Sequence, residues 1–202
     1  MALIAEEIVE EWLNRQGFFT IRGIRLGVHE MDILAIRQDS SGWDLRHYEV
    51  HASINAISYI SSVPKLVQRE ELRKPGSAKL RNNQELEAGV REWIEKKFHL
   101  KKKADIRRKL CPGNWSIHLV VGEVRHKKEL EILKRSGVEV TRLSKIIADL
   151  KAPSPLNFKA AGNDLCGLIT MGAPCGLDSQ SPTSLTGEQK DGRSRTYPFD
   201  PT

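Results

Sequence analysis

Two β-type runs on either side of one polar turn, in the stretch GVHEMDILAIRQDSSGWDLRHYEVHAS (residues 27–53), constrain the fold more than any other part of the chain. Gln38-Asp39-Ser40-Ser41-Gly42 has the polar, glycine-containing composition that closes a hairpin of adjacent antiparallel strands. Side chains alternate along a strand, so Glu30 and Asp32 share one face while Met31 and Ile33 share the other. Glu49 and His51 share a face of the second strand in the same way. Asp32 and Glu49 therefore converge at one end of the hairpin. Two carboxylates brought together repel unless something positive lies between them. A divalent cation does that, and hard oxygen donors with open water positions are what Mg²⁺ takes. The plain alternative is a solvated hairpin end, since Asp and Glu are ordinary residues there.

The rest of the chain supplies helices and further strands around this hairpin. Residues 3–16 carry apolar side chains at 4, 5, 8, 9, 12 and 13, which predicts an amphipathic helix ended by Gly17. Its apolar arc centres near Ile8 and Trp12, leaving Glu7 and Glu10 facing away and Glu6 and Glu11 at the margins. Strands are predicted over 18–26, 31–37 and 45–52, the second apolar on both faces beyond Asp32 and so a central strand. A short helix is expected around 65–73, before the break at Lys74-Pro75-Gly76-Ser77. Residues 84–98, QELEAGVREWIEKKF, form an apolar helical stripe.

Trp115 to Val124 is a continuous apolar run of the buried, parallel-strand type. A charged helix (126–136), a short strand (138–142) and a last helix (143–150) follow, which reads as a right-handed parallel crossover. The order is α-βββ-α-β-α-β-α: an α/β fold with a central mixed sheet flanked by helices.

The segment Lys96 to Lys109, KKFHLKKKADIRRK, holds eight lysines and arginines against one aspartate. Such a density exceeds what solubility needs and points to a phosphate backbone, through Lys96, Lys97, Lys101, Lys102, Lys103, Arg107, Arg108 and Lys109. The plain alternative is a solvated helix end. Formal charge is +6, and residues 152–202 hold four basic against five acidic side chains, so the excess lies in residues 1–151.

Residues 152–202 also hold six of the nine prolines and six of the fifteen glycines. They read as a tail, largely disordered from about Ser179, with Asp164 to Met171 as a possible packed segment. Residues 1–151 read as the folded domain. The three cysteines, Cys111, Cys166 and Cys175, are too few and too irregularly spaced for a zinc site or a disulfide framework. No apolar run is long enough to span a membrane, and the start MALIAEEIVEEW lacks the basic opening of a secretory signal, so a cytoplasmic protein is expected.

The order of elements and the carboxylates together resemble the PD-(D/E)XK nuclease superfamily, whose restriction-endonuclease-like core is shared by small endonucleases such as Holliday-junction resolvases. The resemblance covers residues 3–53 in motif and 115–150 in fold. AEEIVEEWLNRQGF matches the family's early helix and carries its glutamate onto Glu6. GVHEMDILAI matches the Glu-x-Asp segment, with Asp32 as metal ligand and Glu30 beside it. HYEVHAS matches apolar-Glu-x-Lys, with Glu49 as ligand, but His51 stands where the family has lysine.

The resemblance implies a Mg²⁺ (or Mn²⁺) dependent endonuclease acting on DNA, RNA not excluded, and a homodimer where two strands are cut. Histidine cannot supply lysine's permanent charge, its reference pKa being ~6.5. Either His51 orients or deprotonates the water, or another lysine takes the role, of which Lys65 is the nearest after the strand. The remaining readings are a degraded site left as a DNA-binding or assembly module, and a strand histidine with partners of its own.

Overall fold

The protein is described here by a computed structural model covering residues 2–53 and 55–151. The chain runs α1 (Ala2–Asn14), β1 (Phe19–Leu26), β2 (His29–Asp39), β3 (Gly42–His51), α2 (Lys65–Glu70), α3 (Asn83–Ile94), a π turn (Glu95–His99), α4 (Lys101–Leu110), β4 (Trp115–Val121), α5 (Lys127–Arg135), β5 (Val138–Arg142) and α6 (Leu143–Lys151). The strands form one mixed sheet in the order β1-β2-β3-β4-β5. β1, β2 and β3 pair antiparallel, and β4 and β5 join in parallel. This is the expected α/β arrangement of a mixed sheet flanked by helices.

The hairpin turn closes as its composition requires. Asp39 Oδ1 accepts hydrogen bonds from the Ser41 backbone N–H and hydroxyl, and Gly42 follows at φ +126°, a conformation that glycine adopts without strain. The ladder then runs from Asp39 opposite Gly42 to Ile33 opposite Tyr48. Along β3, Tyr48 and Val50 turn to one side of the sheet, where Ile33, Ala35 and Val120 meet Ala5, Ile8, Val9 and Leu13 of α1 and Ile146 and Leu150 of α6. The other side is covered by α3 and α5, whose Leu86, Val90, Ile94, Leu130 and Leu133 pack with Phe98 on Leu119 and Val121. Truncating a side chain as buried as Leu13 or Leu119 to alanine costs about 2–5 kcal/mol.

β2 is an interior strand covered on both sides, as expected, with Met31 to Ala35 buried, and β3 holds the middle of the sheet, with β1 and β2 on one side and β4 and β5 on the other. Two sequence expectations change. The helix over 84–98 ends at Ile94 and widens into the π turn, and Leu100 at ψ 130° leaves the helical region before α4 begins. The basic run is therefore two elements meeting at a bend. α2 is real but short. α3 starts with a capping box in which Asn82 and Glu85 side chains each take the other's backbone N–H. On α3, Gly89 lets the segment at Ser61 and Ser62 approach, because a Cβ there would lie 2.9 Å from the Ser61 hydroxyl and 3.0 Å from the Ser62 carbonyl. Among the described residues no helix is long and apolar enough to cross a membrane. The expectations for residues 152–202, including Asp164 to Met171, lie outside the described residues.

Candidate active site

One step past the last ladder position, Ile33 opposite Tyr48, come Asp32 and Glu49. Here the ladder gives way to a side chain: Asp32 Oδ2 accepts the Val50 backbone N–H at 2.7 Å. Both carboxylates are buried, Asp32 at 9% exposure and Glu49 at 1%. Their charge states diverge. Burial, and then the Glu49 charge, push the Asp32 carboxyl up to about 7, against the pull of the Val50 N–H and of Lys97. Burial works against Glu49 as well, but His47, Lys97 and Lys103 outweigh it and hold Glu49 down at about 2.

The cations come from the π turn and α4. Lys97 Nζ donates to Glu49 Oε2 at 2.5 Å. Burial disfavours the Lys97 charge, but the carboxylates Glu49, Asp32 and Glu30 outweigh it, so its pKa is raised. Lys103 is 1% exposed, and its Nζ donates to Glu49 Oε1 at 2.8 Å and to the Lys97 carbonyl at 2.7 Å. That carbonyl belongs to the last turn before the bend, where helical carbonyls lack partners, so Lys103 satisfies it and ties the turn to the strand. For Lys103 burial wins over pairing and its pKa is lowered.

One layer further in, Arg107 Nη1 lies 2.7 Å from His47 Nδ1. A guanidinium only donates, so Nδ1 is the acceptor and neutral His47 carries its proton on Nε2, which stands 3.5 Å from Glu49 Oε1. Burial lowers the His47 pKa to about 4 and keeps the ring neutral.

Of these groups Asp32 and Lys97 line a cleft of about 1290 Å³, while Glu49, Lys103, His47 and Arg107 are buried and do not line it. Glu6, Glu30, Asp32 and His51 line it on the sheet and α1 side, and Lys96, Lys97, His99 and Lys101 on the side of the π turn and α4. Glu6, from α1, is 8% exposed, and burial and then Glu30 push its carboxyl up. Glu11, the other marginal glutamate of α1, pairs with Arg15 at 2.9 Å and does not line the cleft. His51 is held neutral, its pKa lowered by burial and then by Lys97.

The structure thus brings Asp32, Glu30, Glu6 and His51 around one cleft, with Lys97 in its lining bonded to buried Glu49, which does not line it. It divides the expected basic stripe. Lys96, Lys101, Lys102, Arg108 and Lys109 are exposed, and of these Lys96 and Lys101 line the cleft. Lys103 and Arg107 are buried against Glu49 and His47, so the expectation that they contact nucleic acid is corrected: both point into the fold. The expected substitute for the missing lysine, Lys65, lines the cleft from α2, with its backbone N–H on the Glu92 carboxylate. The lysine that reaches the carboxylates is Lys97, 48 residues after Glu49. Sequence reading also missed His47, although alternation along β3 already sets it on the Glu49 face.

Asp32, which lines the cleft, and Glu49, which does not, supply buried carboxylate oxygens from adjacent strands, hard donors of the kind a divalent cation takes, with both Glu49 oxygens held by Lys97 and Lys103. Among the described residues no three or more His, Cys, Asp or Glu side chains stand together as a metal cage. Mg²⁺ uses one or two protein carboxylates and keeps several waters, so it needs no such cage.

No protein-family model and no curated protein matches the chain. It is similar to the crystal structure of a protein of unknown function, AF1548, with a TM-score of 0.43 and 10% identity over 85% of this chain and 79% of that one.

Proposed function

We propose that the protein is a divalent-metal-dependent endonuclease with a restriction-endonuclease-like core, hydrolysing DNA phosphodiester bonds, in which Lys97 takes the part that the resembled motif gives to a strand lysine. The observation that carries this reading is the Lys97 ammonium 2.5 Å from Glu49 Oε2, with buried Asp32 on the adjoining strand. An α-βββ meander followed by two parallel strands supports the core.

Asp32 and Glu49 would hold Mg²⁺ or Mn²⁺, with Glu30 beside them; when bound, such an ion supplies an activated water and charge stabilisation at a phosphate. Lys97 holds a permanent charge beside Glu49 and donates hydrogen bonds toward a phosphate oxygen in the cleft. Lys103 keeps Glu49 ionised and anchors the turn that carries Lys97. Neutral His51 is free to accept a water proton, a role for which lysine's charge would unfit it. Glu6 adds negative field at the cleft rim, and exposed Lys96 and Lys101 bind the phosphodiester backbone.

One observation favours a second reading, a nucleic-acid-binding module that no longer cuts: both oxygens of Glu49 are already engaged by lysines. Incubation with linear, nicked and branched DNA, and with RNA, in Mg²⁺, Mn²⁺ or EDTA separates the two. Metal-dependent cleavage that disappears in Asp32→Asn supports the enzyme. Binding with no cleavage of any form in either metal withdraws it in favour of the module.

A further inference from the structure

Beside the cleft the chain makes an excursion over residues 64–74. Its neck is closed where the Val63 N–H donates to the Pro75 carbonyl at 2.8 Å, and Lys65, Gln68 and Pro75 line the cleft at its foot. α2 forms one arm, and Leu72 follows its C-cap, Glu71. Leu72 has φ +53°, the one non-glycine residue in the left-handed region among those described. That position after a helix is normally glycine, because a Cβ is disfavoured there. Leu72 is also 89% exposed.

A single exposed leucine needs no explanation by itself. Leu72 combines two unfavourable choices, a branched side chain on a left-handed backbone and an apolar side chain in water. Neither is repaid by packing among the described residues. Nor is it part of a loose end. The Glu71 N–H bonds back to the Val67 carbonyl, and the Arg73 guanidinium grips Glu85 at 2.9 Å and the Lys79 carbonyl at 3.2 Å. The leucine is held outward between two anchored neighbours. Strained and exposed residues of this kind collect at functional sites.

The surroundings choose its occupant. Lys65, Arg69 and Lys74 are exposed on the same excursion against Glu70 and Glu71, and Leu66 on α2 is 64% exposed. Apolar wedges flanked by cations are how proteins part the steps of a base stack, the cations taking the phosphates and the wedge replacing a neighbouring base. The cleft at the foot of the excursion, about 1290 Å³, is larger than the ~300–1,000 Å³ of small-ligand pockets and suits a strand led away from its partner.

We propose that Leu72 is a wedge that inserts into the base stack of a nucleic acid whose one strand enters the cleft, so that the substrates are forks, flaps or branched junctions and not uninterrupted duplex. This rests on the nucleic-acid reading above. The test uses the full chain in EDTA, so that no cutting occurs, with forked DNA carrying 2-aminopurine at the last paired step. The wild type is expected to bind the fork at least tenfold more tightly than blunt duplex and to raise the probe's fluorescence several-fold as the base unstacks.

Leu72→Gly, which suits the left-handed backbone and so keeps the fold, should bind fork and duplex equally and leave the fluorescence flat. Leu72→Phe should retain the rise. A wild-type complex without a fluorescence rise, or a Leu72→Gly variant that matches the wild type, overturns the wedge while leaving the nuclease reading standing, to be judged by cleavage in Mg²⁺. No binding to any nucleic acid overturns both. Leucine-dependent binding to vesicles of phosphatidylserine and phosphatidylcholine, without a fork preference, assigns the segment to a membrane surface and overturns the wedge.

Discussion

Lys97 reaches Glu49 from a π turn, its Nζ 2.5 Å from Oε2, and so restores a lysine to a carboxylate pair whose own strand offers His51. Lys97→Met should therefore lower kcat for metal-dependent cleavage by about 10²–10³-fold, the loss typical for one charge-stabilising donor, with KM little changed. His51→Ala should cost less, and Lys65→Gln should leave kcat unchanged. In Lys97→Met, adding His51→Lys should recover part of the lost rate. Single-turnover kinetics on a cleaved substrate would decide it: equal rates in Lys97→Met and wild type would remove Lys97 from the chemistry.

Lys103 serves the same carboxylate from inside. It is 1% exposed and bonded both to Glu49 Oε1 and to the Lys97 carbonyl, so Lys103→Met leaves a buried acceptor unsatisfied and weakens a buried charge cluster. Breaking such a pair costs about 3–5 kcal/mol, and the lower end is expected because Lys97 remains on Glu49. Urea unfolding of the variant should show a lowered midpoint at unchanged slope; a midpoint equal to wild type would contradict the contact.

How much of this was readable beforehand follows from the range of each interaction. Alternation within a strand and closure of one polar turn are local, so Asp32, Glu49 and His51 could be set on their faces and brought together without any knowledge of the helices. Glu6 needed only the wheel of α1 and the resemblance. Lys97 could not be singled out, because its reach depends on the widening at residues 95–99 and the bend at Leu100, which the apolar periodicity of α3 does not signal. Lys103 and Arg107 are chemically identical to the exposed cations around them. What buries them is an ionised glutamate and a histidine on a strand more than fifty residues earlier. A run of like charges therefore read as a surface, although part of it is the counter-charge of the interior.

Asp32 makes stability depend on pH with a definite sign. Its carboxyl titrates near 7 in the folded protein against an ordinary value of 3.8, so between these values the folded state binds more protons than the unfolded one. Stability associated with this group is then full below about 3.8 and is lost as pH rises through 7. Asp32→Asn cannot ionise and still offers an oxygen to the Val50 N–H. In EDTA at pH 8 it should be more stable than wild type, by on the order of 4 kcal/mol for a rise from 3.8 to about 7 at ~1.4 kcal/mol per pKa unit. The advantage should shrink toward pH 4. Thermal melts of the two proteins across pH 4–8 would show it, and a gap that stayed constant with pH would refute the cause assigned to the shift.

Salt dependence separates the exposed cations from the buried ones. Each phosphate contact contributes about 0.9 to the slope of log affinity against log salt on duplex DNA and about 0.7 on a single strand. Lys96 and Lys101 line the cleft, so Lys96→Gln with Lys101→Gln should reduce the slope by about 1.8 on duplex or about 1.4 on a single strand, alike for all base sequences. Lys102 and Lys109 are exposed but do not line it. If the nucleic acid stays within the cleft, replacing those two should leave the slope within about 0.5 of wild type, less than one contact. A larger change would extend the footprint along the outer face of α4. Anisotropy titrations in EDTA at several salt concentrations give the slopes directly, and a slope unmoved by the cleft pair would show that the backbone does not pass over Lys96 and Lys101.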